Sequence, residues 1–118
     1  IVMAVDIVFL AGADARRGRD FEKFAFARAF GNLQALRSMT SIPGELAQLT
    51  GKNNPYPKKL GVIEEGAYAD ILVVDGNPLK DITVIGASDK YLDAPARPPG
   101  IVTIRVIMKD GKVFKNTL

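Results

Sequence analysis

The chain has 118 residues, 47% of them hydrophobic and 25% charged, the balance of a soluble globular domain long enough to bury a core without a disulfide or metal staple. It contains no cysteine and no histidine, so thiol catalysis, disulfide frameworks, zinc ribbons and any Ser-His or Cys-His couple are excluded. The net charge of +3 permits acidic partners, but the only dense basic group, Arg16, Arg17 and Arg19 around Gly18, has no interleaved aromatic residue on which bases would stack. That group reads as a solvated loop, and no nucleic-acid partner is expected.

Residues 2–10 form an apolar run rich in β-branched side chains that ends at Gly12, the pattern of a buried strand of a parallel sheet. The run is too short to span a bilayer and lacks a basic leader, so no membrane partner is expected and the compartment stays open. From residue 20 to residue 30 the period becomes helical, with Phe26, Phe30 and Leu33 at i, i+4 and i+7 and Asp20 placed as a cap. Gly31 and Asn32 interrupt it. A second short helix follows on Leu33, Leu36 and Thr40, and a third has Ser41 as cap, Pro43 and Glu45 in its first turn and Gly51 as its stop. A strand followed by helices is an α/β element.

Asn53, Asn54, Pro55 and Pro57 make a loop that no helix would cross, and the chain beyond it reads as strand or coil. Val62 and Ile63 predict a short strand, Glu65-Gly66 a turn, and residues 71–74 an apolar strand closed by Asp75-Gly76. Three prolines make residues 86–100 an irregular connection. Then Val102, Ile104 and Val106 alternate with Thr103, Arg105 and Ile107, up to an Asp110-Gly111 pair that predicts a type I′ hairpin with Val113 and Phe114 on the returning strand. An α/β part of about fifty residues and a β part of about sixty are each small for an independent domain, which points to a fragment.

Residues 60–82 carry Leu60-Gly61, Glu65-Gly66, Ala69-Asp70, an apolar strand, Asn77-Pro78-Leu79 and Asp81-Ile82. This stretch resembles the C-terminal signature of the amidohydrolase superfamily, the metal-dependent hydrolases that include imidazolonepropionase-like and prolidase-like enzymes. Upstream, Ala35-Leu36-Arg37 with Thr40, Glu45-Leu46 and Leu49-Thr50-Gly51 are similar to the helix pair ahead of that signature; downstream, residues 106–115 look like its closing hairpin. The resemblance implies an α/β plus β architecture: residues 1–52 as the last strand and helices of a (β/α)8 barrel, and residues 53–118 as the C-terminal strands of a composite β-sandwich. Each signature residue also has a structural account, with Gly66 and Gly111 as turn residues, Asp70 bonding local amides at a strand start and Pro78 fixing a turn.

In that family a divalent metal, zinc the expected ion, lowers the pKa of a bound water and polarises the scissile carbonyl. The resemblance implies one metal ligand and catalytic base here, Asp14, in Gly12-Ala13-Asp14-Ala15, where the family carries Gly-Thr-Asp or Gly-Ser-Asp and Ala13 lacks the hydroxyl. An aspartate after a strand is also an ordinary cap or turn residue. Glu64 and Glu65 are adjacent, so on a strand they would face opposite ways and could not act together, and Asp20 with Glu22 reads as a helix start. The parent reaction implied is hydrolysis of a C–N bond in a small amide, cyclic amide or dipeptide, with the isolated chain inactive and holding no cofactor. The rival reading is a non-enzymatic β-rich module that dimerises or exchanges strands, a homo-oligomer standing in for an N-terminal segment of the parent.

Overall fold

A computed structural model describes residues 11–97 and 99–118. The strand expected over residues 2–10 lies outside the described residues. Helix α1 spans Gly12–Phe30, α2 Asn32–Met39 and α3 Ser41–Gln48; strands β1 Ile71–Val74, β2 Ile104–Lys109 and β3 Lys112–Asn116 follow.

The arginine group is not a loop. Ala13, Ala15, Arg16, Arg17 and Arg19 are good helix formers, and together they carry α1 through Gly18 to an N-terminus at Gly12. Asp20, expected to cap, therefore stands inside the helix and is only 5% exposed. Gly31 ends α1 with φ of 83°, its N–H bonded to the Ala27 carbonyl at 2.7 Å. At the α2–α3 corner Thr40, not Ser41, is the cap residue. Its hydroxyl turns back to donate to the Leu36 carbonyl at 2.8 Å, which stitches the corner instead of capping α3.

The helical core is built from small side chains, Ala27, Ala35 and Ala87 with Ile82, and is flanked by Phe24, Phe26, Leu36, Met39 and Ile85. Ile82 and Ile85 belong to a 3-10 turn, Ile82–Ile85, that packs on α1. Asp81 caps that turn by accepting the Thr83 N–H at 2.9 Å. The Thr83 hydroxyl and then its N–H, against a smaller opposing push from burial, hold the Asp81 carboxyl below its ordinary value.

The sheet is antiparallel in the order β1-β2-β3, with Ile71 opposite Met108 and Ile107 opposite Lys115. Both central residues of the hairpin have positive φ, 48° at Asp110 and 75° at Gly111, as a type I′ turn demands. Ile104 and Val106 are buried as the alternation requires, but Val102 precedes the strand and is 78% exposed. The strand expected at Val62-Ile63 does not form, and Ile63 is 87% exposed. Gly61 turns the chain with φ of 71°, and the Glu64–Ala67 turn follows, leaving too few extended residues to pair.

Candidate functional site

Asp14 lies in the first turn of α1, where the free N–H groups and the helix dipole favour an anion. Its side chain is 51% exposed and accepts from Arg17 Nη1 at 2.5 Å. Arg17 also donates from Nε to the Ala94 carbonyl at 2.7 Å, so the carboxylate is tied through one guanidinium to the connection after β1. A metal centre of the kind the resemblance implies needs several donors converging on one point. Among the described residues no group of three or more His, Cys, Asp or Glu side chains could hold an ion, and the partner that meets Asp14 is a cation. The described residues thus do not fit a metal centre by themselves.

The other carboxylates singled out in the sequence stand apart from Asp14. Glu64 lies in a turn and pairs with Lys59 at 2.5 Å. Asp20 faces the groove between α1 and the sheet, where Arg97 takes it in a fork: Nε to Oδ2 at 2.6 Å and Nη2 to Oδ1 at 3.0 Å. Lys23 adds a third contact at 3.0 Å from Oδ1 and donates to the Ile85 carbonyl as well. Burial pushes the Asp20 carboxyl up, but hydrogen bonds from Arg97 and Lys23, with the charges of both, outweigh it and hold the group below its ordinary value. Sequence reasoning missed this ion cluster. Arg97 is 77 residues from Asp20, and the only hint was a lone arginine inside a proline-rich connection.

The fold resembles those of several solved amidohydrolases. A prolidase complexed with N-methylphosphonate-L-proline superimposes with a TM-score of 0.59 at 31% identity over 85% of this chain. An uncharacterized protein gives 0.65 at 31% identity over 92%, and an amidohydrolase 0.66 at 31% over 92%. The chain belongs to the amidohydrolase superfamily. It corresponds to a C-terminal segment of that fold, and it spans only 21–22% of the length of those structures. No family model matches this amidohydrolase segment, and no curated protein matches it. No helix among its described residues is long and apolar enough to cross a membrane.

The signature residues of the amidohydrolase segment act on backbone geometry. The Leu60-Gly61 backbone lies across the start of α3: a Cβ at Gly61 would overlap the Thr40 carbonyl, and a Cβ at Gly44 would overlap the Leu60 carbonyl. Asp70 does not bond local amides as expected. It reaches the hairpin, accepting the Asp110 N–H at 2.7 Å and Lys109 Nζ at 3.2 Å. The Asp110 amide is the main reason its carboxyl lies below the usual value, prevailing over the opposing effect of burial with help from Lys109. Asn77 accepts the Leu79 N–H at 3.0 Å, and Asn32 of α2 donates to the Leu79 carbonyl at 3.1 Å, which docks the Asn-Pro turn on the helices.

Proposed function

We propose that this chain is one segment of a metal-dependent hydrolase of C–N bonds, comprising the end of the barrel over residues 1–52 and C-terminal strands of the composite β-sandwich over residues 53–118. Its contribution to the chemistry is Asp14. The observation that carries the reading is the 31% identity to a prolidase and an amidohydrolase over 85–92% of the chain. The position of Asp14 supports it, on a helix N-terminus with half of the side chain open to solvent. The ligand of the prolidase neighbour, a phosphonate on proline, favours a peptide-like amide over a cyclic one as substrate. Because the described residues supply too few donors, the divalent metal, zinc by the family's ligand set, would be held mainly by residues outside this chain.

The test is a paired assay of the 118-residue chain and of a longer protein that contains it, against a panel of amides and dipeptides. The chain alone should show no turnover sensitive to a chelator. In the longer protein Asp14→Asn should lower turnover roughly 10²–10⁴-fold, the range for loss of a general base, with its circular dichroism unchanged. Near-normal turnover in that variant would remove Asp14 from the site.

A second reading rests on a separate observation. Leu72, Val73, Val113 and Phe114 are 41–64% exposed, and among the described residues β1 and β3 are both sheet edges. Apolar strands with free edges recruit partners, so the isolated chain would act as a β-rich module that associates with a second copy or exchanges strands with it.

A further inference from the structure

A groove of about 370 Å³ runs between α1 and the sheet. Arg16, Arg19 and Lys23 enter it from one face of α1, at spacings of three and four residues, and Arg97 enters from the opposite side. Among the described residues the groove is lined by four cations and one carboxylate, Asp20, whose two oxygens are already taken by Arg97 and Lys23. Like charges three apart on a helix repel one another, and with Asp20 answering Lys23 and Arg97, the Arg16 and Arg19 pair is the part of the groove that an added anion would relieve. Arg16 makes the deficit concrete. Its Nε is buried and meets no acceptor among the described residues, and a buried donor left unmade costs free energy that a ligand oxygen would restore. Ile101, Ile104 and Ile107 supply an apolar wall to the same groove.

We infer that this groove binds a small organic carboxylate, its oxygens held by the Arg16 and Arg19 guanidinium groups and its apolar body laid against the isoleucines. An arginine fork matches a carboxylate in two parallel hydrogen bonds, and the isoleucine wall favours a ligand with a hydrocarbon part over a bare oxyanion. The site is distinct from Asp14, whose carboxylate is turned to Arg17, and it holds whether or not the chain belongs to a hydrolase.

Titration calorimetry of the 118-residue chain with hexanoate and with inorganic phosphate tests it. Hexanoate should bind saturably with a Kd of about 1 mM or below, and more tightly than phosphate. Arg16→Gln should weaken hexanoate roughly tenfold, as loss of a charge-assisted hydrogen bond does, while Lys52→Gln, outside the groove, should leave it unchanged. Circular dichroism reports whether Arg16→Gln folds; if it does not, Arg19→Gln, on an exposed side chain, carries the same expectation. Absence of saturable binding, binding indifferent to both arginines, or phosphate binding as tight as hexanoate would each overturn the inference.

Discussion

Replacing Asp20 with asparagine keeps the shape of the side chain and removes its charge from a site that is 95% shielded, since the residue is only 5% exposed. Three charge-assisted hydrogen bonds are affected, two from Arg97 and one from Lys23. Summing them at about 1.5–3 kcal/mol each overstates the loss, because the carboxylate gave up its hydration to enter the site. Removing one partner of a fully buried pair costs about 3–5 kcal/mol. Here Arg97 is 33% exposed and can rehydrate, Lys23 keeps the Ile85 carbonyl, and the amide still accepts one bond, which brings the expected cost to about 2 kcal/mol. That is roughly a thirtyfold fall in the folded-to-unfolded ratio.

Urea unfolding followed by circular dichroism at neutral pH reads this cost. Arg97→Met should cost less than Asp20→Asn, since Lys23 still answers the carboxylate, and the double variant should show coupling between the two positions. The pH dependence gives an independent check. The folded Asp20 carboxyl lies below its ordinary value of 3.8, so its stabilisation is complete above that value and is lost as pH falls through the lower folded one. The gap between wild type and Asp20→Asn should be constant from neutral pH down to about 5 and shrink below about 4. A cost under about 0.5 kcal/mol, or a gap unchanged in strong acid, would refute the assignment of Asp20 as the ionic tie between α1 and the connection after β1.

Gly61→Ala and Gly44→Ala should each cost more than the usual ~1 kcal/mol of a helix or turn glycine, because the added methyl meets a backbone carbonyl that cannot rotate away; chemical unfolding of the two variants measures it. Asp70→Ala should lower stability by about 1–2 kcal/mol above pH 4, with the loss fading in acid because the carboxyl it removes is held low in the fold, and hydrogen exchange should show the Asp110 amide opening first. The isolated chain should sediment as a dimer or larger species across a dilution series, with Phe114→Lys shifting it toward monomer; a cooperatively folded monomer of the wild-type chain would refute the second functional reading.

What the sequence made legible was local. The Asp110-Gly111 hairpin, the apolar strand at residues 71–74 and the short helices after Gly31 are each specified by a few neighbouring residues, and all are present. Errors came where a local signal had a distant competitor. Asp20 has the chemistry of a cap, but Arg97 and Lys23 claim its carboxylate inside the helix; Asp70 has the chemistry of a strand start, but an amide forty residues later takes it. The 3-10 turn over Ile82–Ile85 was findable, since Asp81 two residues ahead of Thr83 is a capping pattern, yet everything beyond the Asn-Pro loop reads from the sequence only as strand or coil. The site is less legible than the fold: Asp14 was reached through family likeness, and its Arg17 partner at i+3 has the spacing of an ordinary helix-surface pair.

The residues that carry the family likeness and the residue proposed to carry the chemistry are different sets. Gly61 lets its backbone touch that of Thr40, Asp70 fastens the hairpin to the start of β1, Asn77 bonds within the turn that docks on α2, and none of these residues meets Asp14. A likeness built on such positions speaks to how the chain must pass over itself, because a substitution there strains the backbone whatever the reaction is. It does not by itself carry the reaction, which depends on charge at a few exposed groups. Asp14→Asn should therefore leave stability nearly untouched in the same measurements in which Gly61→Ala is severe, since an exposed ion pair contributes little. That contrast separates fold from function within one chain: a stability loss at Asp14 comparable to that at Gly61 would make Asp14 another scaffold residue, and the hydrolytic proposal would then have no residue here on which to stand.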